Sequence, residues 1–251
     1  MEILGIIPAR FASTRFPGKP LVVIDEKTMI QRVYEQAKKS AALNDVVVAT
    51  DNEVIAESVR KFGGKVMLTA PEHENGTSRC AEVLTRLEKE NPALKIDVVI
   101  NIQGDEPYIN PAQIDSLASL FYENKTEIGT LIKEIKRNEE LFNPNVVKTI
   151  INSEGKALYF SRHPIPFLRD FPENKWLNNA MFYKHIGIYG YKNDVLKRIV
   201  KLPPGKLEKA EKLEQLRWLE NNFSIYTNTT DFEGVAIDTP EDLLKLTNNP
   251  C

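Results

Sequence analysis

The chain is poor in cysteine. Two are present, Cys80 and Cys251, and no Cys-x-x-Cys or Cys/His spacing surrounds them. That excludes a disulfide framework and a thiolate metal site. Long apolar runs are missing as well. The first hydrophobic stretch, Ile3 to Ile7, falls far short of the ~20 residues that span a bilayer. It also has no basic leader, so neither a membrane segment nor a signal peptide is expected. A reducing, cytoplasmic setting is the expectation. Charge of one sign is not in excess: 33 Lys and Arg stand against 35 Asp and Glu, a formal net charge of −2. A nucleic-acid binder driven by a basic face is thereby disfavoured, and an anionic ligand must be held by a local cluster. There is no Gly-x-Gly-x-x-Gly, no Walker A string, and no Ser/His/Asp or Cys/His set for a protein nucleophile.

What is present is an ordinary globular composition over 251 residues, 42% of them hydrophobic, enough to bury a core without staples. In the first half, strand-like and helix-like patterns alternate. Ile3 to Ile7, ending at Pro8, Asp45 to Thr50 and Asp97 to Ile102 read as buried strands, and Lys65 to Leu68 as a shorter one. Between them, Met29, Ile30, Val33, Tyr34 and Ala37 recur at helical spacing, as do Val54, Ile55, Val59 and Phe62, and Ala81, Leu84 and Leu87. Asp51 or Asn52 can open the second of these helices, and Gly63-Gly64 stops it. Apolar strands alternating with amphipathic helices predict an α/β fold, a Rossmann-like, mostly parallel sheet with helices on both faces. Ligands then bind beyond the carboxyl ends of the strands, so the loops after Ile7, Ala49 and Ile102 matter most. The second half predicts a smaller mixed α+β lobe. It has a hairpin around Asn152-Ser153-Glu154-Gly155, an irregular stretch over 161–181, a strand over His185 to Tyr191 and a helix over Lys206 to Asn222. Short strands follow at Ile225 to Asn228 and Val235 to Ile237. A last helix opens at Thr239-Pro240-Glu241-Asp242.

The loop after the first strand carries the strongest signal. Pro8-Ala9-Arg10-Phe11-Ala12-Ser13-Thr14-Arg15-Phe16-Pro17-Gly18-Lys19-Pro20 places three cations, Arg10, Arg15 and Lys19, just beyond a buried strand. A nucleoside triphosphate carries about four negative charges and calls for converging cations, backbone N–H groups and a metal. Arg suits forked phosphate contacts and Lys acts as a point charge. Ser13 and Thr14 add hydroxyls, and Gly18 allows close backbone approach.

This string, through Leu21, resembles the PARxxSTRxPGKPL signature of the 3-deoxy-manno-octulosonate (Kdo) cytidylyltransferases, and the resemblance runs along nearly the whole chain. His73-Glu74-Asn75-Gly76-Thr77-Ser78-Arg79 is similar to the family's HxSGTER turn, with Asn75 and Ser78 departing from it. Asn101-Ile102-Gln103-Gly104-Asp105-Glu106-Pro107 resembles NxQGDEP, and Gly234 to Leu243 resembles the GVDTPEDL region. Read physically, Asp105 is a carboxylate just past a buried strand, a good Mg²⁺ ligand. Asp238 could by itself be only a helix cap, with Glu241 and Asp242 serving the helix dipole.

The resemblance implies one nucleotidyltransferase domain over 1–251, with approximately 140–222 as a lobe for substrate and for pairing into a homodimer. It implies a CTP-dependent transfer of CMP to the anomeric hydroxyl of Kdo, releasing pyrophosphate and activating the sugar for lipopolysaccharide synthesis. Catalysis would rest on Arg10, Arg15, Lys19 and Asp105. The nucleotide would be held by Ala9, Arg10, Ser13, Lys19, Gly76, Thr77, Arg79 and Gln103, and Mg²⁺ by Asp105 and Asp238. A sugar acid presents one carboxylate, which Arg162 suits, and many hydroxyls, which His185, Tyr189, Glu214 and Gln215 suit; each of these also has a plain structural reading. The expected partners are CTP and a small acidic sugar, with no nucleic acid and no membrane insertion. An 8-amino relative of Kdo or a sialic acid is the alternative substrate, and a non-catalytic nucleotide sensor on the same scaffold is the alternative of another class.

Overall fold

The computed structural model describes residues 1–12, 16–122, 125–234, 236–237 and 239–243. The chain divides into two compact units, 1–115 with 233–251, and 116–232. The second unit is therefore wider than the 140–222 stretch read from sequence, because strands near 128 and 225 pair with each other inside it.

In the first unit, β1 (Ile3–Ala9) is buried along nearly its whole length. Two short strands, β2 (Val23–Ile24) and β3 (Lys27–Thr28), form a small hairpin. Next come α1 (Met29–Ala37), β4 (Asp45–Thr50), α2 (Glu53–Lys61), β5 (Val66–Leu68), α3 (Gly76–Glu90) and β6 (Val98–Asn101), and α4 (Pro111–Ser119) begins in this unit and ends in the second. The residues expected to face inward on α1 do so: Met29, Ile30, Val33, Tyr34 and Ala37 are buried. Asn52 caps α2, accepting from the N–H groups of Val54 and Ile55. The helix then ends at Gly63, whose φ of 78° suits a residue without Cβ.

The four long strands lie in the order β6-β1-β4-β5, and every pairing among them is parallel. The chain runs outward from β1 through β4 to β5, then returns by α3 to the other side of β1. Right-handed crossovers in both directions place α1 and α2 on one face and α3 on the other. The order thus reverses between β1 and β6, and the carboxyl ends of those two strands form the switch point where such sheets bind ligands. Pro8 does not end β1, contrary to the sequence reading. It pairs in register with Ala49 of β4, while the ladder with β6 stops at Ile6. A proline on the side where the ladder has ended loses no hydrogen bond.

In the second unit the elements are β7 (Ile128–Glu134), α5 (Asn138–Phe142), β8 (Lys148–Ile151), β9 (Ala157–Ser161), α6 (Trp176–Asn179), β10 (Tyr183–Lys192), α7 (Asn193–Ile199), α8 (Lys206–Glu211), α9 (Gln215–Glu220) and β11 (Ile225–Thr229). Strand order is β11-β7-β10-β8-β9. The first pair is parallel and the others antiparallel, a mixed sheet as expected. The β8–β9 hairpin turns at Gly155, with φ of 75°, while the Asn152 side chain accepts from the N–H groups of Glu154 and Lys156. The single helix expected over 206–222 is instead two. Lys212 adopts φ of 56° between α8 and α9. The Arg162 side chain takes the carbonyls of Glu211 and Lys212, which a continuous helix would use internally.

Candidate active site

Four backbone segments converge at the ends of β1 and β6. Gly104 passes so close to β1 that a Cβ there would come 2.7 Å from the Pro8 carbonyl oxygen. Gly76, the first residue of α3, would with a Cβ meet Pro8 at 3.2 Å and Asn101 at 3.3 Å. The loop after β1 turns back at Gly18, where φ is 71° and the N–H donates to the Phe11 carbonyl at 3.0 Å. That turn delivers Lys19, whose Nζ donates to Asp105 Oδ2 at 2.7 Å, across 86 positions of sequence. Both side chains are mostly shielded, at 14% and 26% exposure. A partly desolvated pair attracts more strongly than a surface one, and its charges are held where a ligand entering the switch point meets them.

The fourth segment approaches from the end of the chain. Ile237 donates its N–H to the Asp105 carbonyl at 3.0 Å and buries its side chain with Ile24 and Met29. Ala236 and Ile237 are not part of a strand, contrary to expectation, because this N–H is committed to the Asp105 loop. Helical residues follow from 240. Their cap is Thr239: its hydroxyl accepts from the Asp242 N–H, and the Asp242 carboxylate accepts from the Thr239 N–H at 3.0 Å. This is a reciprocal capping box with Pro240 in the first turn. Asp238 is therefore not required as a cap. Asp238 itself lies outside the described residues, as do Ser13, Thr14 and Arg15.

Ala9 ends β1 and is buried, and Arg10 follows it exposed. Gln103 is half-buried on the same loop as Asp105. Next to Asp105, burial and then the neighbouring carboxylate push the Glu106 carboxyl up to about 7. Asn75 takes up the N-cap of α3, its side chain accepting from the Ser78 N–H at 2.8 Å. The segment read as a turn is thus the start of a helix, whose dipole favours an anion there. Thr77 and Arg79, expected at the nucleotide, both lie inside the protein in this structure. They are 2% and 3% exposed, and Arg79 donates to Asp51 at 2.9 Å and to Thr69. A buried guanidinium needs such partners, and here it braces α3 against the ends of β4 and β5.

Within the second unit, His185 and Tyr189 lie on β10 with ring centroids 5.1 Å apart. A bulge between Ile186 and Tyr189 re-aims the strand between them. His185 Nε2 is 3.0 Å from the Thr130 hydroxyl, which donates to the Ile188 carbonyl at 2.8 Å. The same hydroxyl reaches the Ile186 carbonyl at 3.2 Å, and a ring protonated on Nε2 would donate to Thr130 and keep Nδ1 as an acceptor. Full burial lowers His185 to about 3, so the ring is neutral. Burial, then Tyr191 and the nearby Glu214 carboxylate, raise Tyr189 well above its usual value, and its hydroxyl has no partner among the described residues. Trp218 of α9 packs edge-on against Tyr189 at 5.1 Å, and Gln215 is buried at the start of α9. His185, Tyr189 and Glu214 are thereby brought together. Arg162 is set apart from them in role. It donates to the carbonyls of Glu211 at 2.7 Å, Pro144 at 3.0 Å and Lys212 at 3.4 Å, and works as a brace between segments. Binding a sugar carboxylate would fall to its remaining N–H groups. Thr130 and Trp218 escaped the sequence reading, since a threonine in an apolar strand and a tryptophan on an amphipathic helix carry no motif.

The burial of His185 has a consequence for stability. In the unfolded chain the imidazole titrates near 6.5, and in the folded chain near 3. The unfolded state then binds the additional proton, so stability is full above pH ~6.5 and falls as pH drops towards 3. His185→Gln is expected to flatten the decline in melting temperature between pH ~6.5 and ~4.5. An unchanged slope in that variant would show that His185 is protonated in the folded protein.

Comparison with known proteins agrees with this geometry. The family model described as cytidylyltransferase matches residues 4–227. The chain is similar to the 3-deoxy-manno-octulosonate cytidylyltransferase of Cytophaga hutchinsonii, at 52% identity over 99% of this chain and 97% of that one. It is 48% identical to the protein of the same name from Parabacteroides distasonis, over 98% and 96% of the two chains. A solved structure of CMP:2-keto-3-deoxy-manno-octonic acid synthetase complexed with CTP superposes with a TM-score of 0.89 at 38% identity, covering 99% of this chain and 98% of that one. With the nucleotide-type switch point and the strand-end carboxylate both in place, the chain belongs to the 3-deoxy-manno-octulosonate cytidylyltransferase family.

Proposed function

We propose that this protein transfers CMP from CTP to the anomeric hydroxyl of 3-deoxy-manno-octulosonate, releasing pyrophosphate and supplying the activated sugar for lipopolysaccharide synthesis. The observation that carries the reading is the Lys19–Asp105 pair, a phosphate-type cation against a metal-type carboxylate, at the switch point of a parallel sheet. A non-catalytic sensor would have no need of both.

In the proposed reaction the anomeric oxygen attacks the α-phosphorus in line. The bond to the bridging oxygen of the β-phosphate breaks, pyrophosphate leaves with that electron pair, and the hydroxyl proton passes to solvent. No protein nucleophile takes part. Arg10, Arg15 and Lys19 neutralise the phosphate charge that grows on the leaving group. The Gly76 end of α3 and the Gly104 turn bring backbone close to the nucleotide, Ala9 and Gln103 hold it from the same strand ends, and Ser13 would add a hydroxyl. In the second unit, His185 Nδ1, the Tyr189 hydroxyl, Glu214 and Gln215 hold the sugar hydroxyls, and Arg162 its carboxylate.

Asp105 fits Mg²⁺. It is an oxygen donor that already holds one cation, the Lys19 ammonium, at 2.7 Å. Mg²⁺ needs only one or two protein carboxylates. That suits a site where, among the described residues, no group of three or more His, Cys, Asp and Glu side chains forms a cage. Asp105, with Asp238, would hold the ion, which supplies charge neutralisation at the α-phosphate and lowers the pKa of the attacking hydroxyl. We also propose a homodimer formed through the second unit. Phe167, Phe171 and Met181 are 72%, 43% and 58% exposed there, beside the buried cluster of Trp176 and Phe182. Among the described residues, no helix is long and apolar enough to cross a membrane.

Pyrophosphate release measured with each nucleoside triphosphate, Mg²⁺ and a panel of sugar acids tests the proposal. Turnover is expected with CTP and Kdo and to be far slower with ATP or GTP, since a purine needs more room than a pyrimidine slot gives. Equal turnover with ATP would remove the cytidylyl assignment. Preference for an 8-amino sugar or a sialic acid would move the substrate within the same chemistry.

A further inference from the structure

We propose that Gly234 is a positioning residue: its missing side chain leaves room for the Glu106 carboxyl, a close-fitting joint that lets Ile237 dock on the loop carrying Asp105, and so sets the metal half of the site. The proposal rests on the nucleotidyltransferase reading above. A Cβ added at Gly234 would come 2.9 Å from Glu106 Cδ and closer still to Oε2. The Glu106 carboxyl therefore lies directly against the Gly234 backbone. Gly234 is not among the glycines with positive φ, so space, not backbone freedom, is what the position demands. Three residues on, the Ile237 N–H is bonded to the Asp105 carbonyl at 3.0 Å.

Gly234 and Ile237 are thus each held against that loop. Glu106 fills the space against Gly234 at one end, and the Asp105 main chain with the Ile24–Met29 pocket takes Ile237 at the other. Because Asp105 and Glu106 are consecutive, a displacement of either contact is transmitted to the peptide that bears the metal carboxylate. Ile237 immediately precedes Asp238, the second proposed ligand, in sequence.

Gly234→Ala isolates the steric contact. In the protein without nucleotide, exchange of the Ile237 amide is expected to accelerate about tenfold or more, with the melting temperature close to that of the parent. Mn²⁺ affinity measured by calorimetry in the presence of CTP is expected to fall about tenfold. Glu106→Ala in the same chain reopens the space. The double variant should recover both amide protection and Mn²⁺ affinity to within about threefold of Glu106→Ala alone. Parental exchange in Gly234→Ala, or a double variant no better than Gly234→Ala, would overturn the joint. A parent protein that binds CTP but no Mn²⁺ would overturn the metal reading, while the exchange measurement would still decide whether the joint exists.

Discussion

Asp105→Asn is expected to lower turnover by about 10²–10³ or more, with a melting temperature within a few degrees of the parent's. Asparagine keeps the size of the side chain and one carbonyl oxygen but removes the charge that a hard cation needs. The fold has little reason to notice. The Asp105 main chain, not its carboxylate, anchors Ile237, and Gly104, not Asp105, makes the close approach to β1. The lost pair with Lys19 is partly exposed, and such pairs contribute about 1 kcal/mol or less. The variant should also lose the dependence of its residual rate on Mg²⁺ concentration. Steady-state pyrophosphate release across a Mg²⁺ titration decides the matter. Near-parental turnover in Asp105→Asn would leave Asp105 as a turn residue and remove the metal from its loop.

Much of the first unit could be read from sequence because its signals are local. Val46 to Ala49 and Val98 to Ile100 are buried on both faces and so are continuously apolar, which fixes them as interior parallel strands. Asn52 caps the helix that follows it, within three residues of the N–H groups it satisfies. The catalytic loop stood out for the same reason, since its cations follow directly on a buried strand. The features that were misread are set by partners far away in sequence. The amphipathic pattern runs unbroken through 206–222, yet Arg162, about fifty positions earlier, takes the carbonyls on which the helix breaks. Arg79 pairs with Asp51, 28 positions before it, a contact that its motif does not announce. His185 finds its hydroxyl partner, Thr130, 55 positions away. A sequence pattern names the chemistry available at a position. Burial and long-range pairing then decide whether that chemistry faces a ligand or the protein.

Replacing Lys19 by alanine should move two measurements in opposite directions. Turnover is expected to fall about 10²–10³-fold, the usual loss when one preorganised contact to developing charge is removed. At the same time, Mn²⁺ binding without nucleotide is expected to tighten roughly fivefold, the equivalent of about 1 kcal/mol for a partly exposed ion pair. The reason lies in what Asp105 does before CTP arrives. Its Oδ2 is held by the Lys19 ammonium at 2.7 Å, and a cation at that oxygen competes with a metal for the same charge. An entering triphosphate would offer Lys19 a second anionic partner and leave Asp105 able to hold a metal. Lys19 would thus favour metal entering together with nucleotide over metal entering alone. Arginine at this position keeps the positive charge but presents a planar fork in place of a compact ammonium, so Lys19→Arg should preserve the weak nucleotide-free metal binding while turnover stays low. Near-parental turnover in Lys19→Ala would reduce the loop to solvated surface. Unchanged nucleotide-free Mn²⁺ affinity in the same variant would show that the ammonium and the metal do not compete for Asp105, and the exchange of partners would have to be given up even if the rate had fallen.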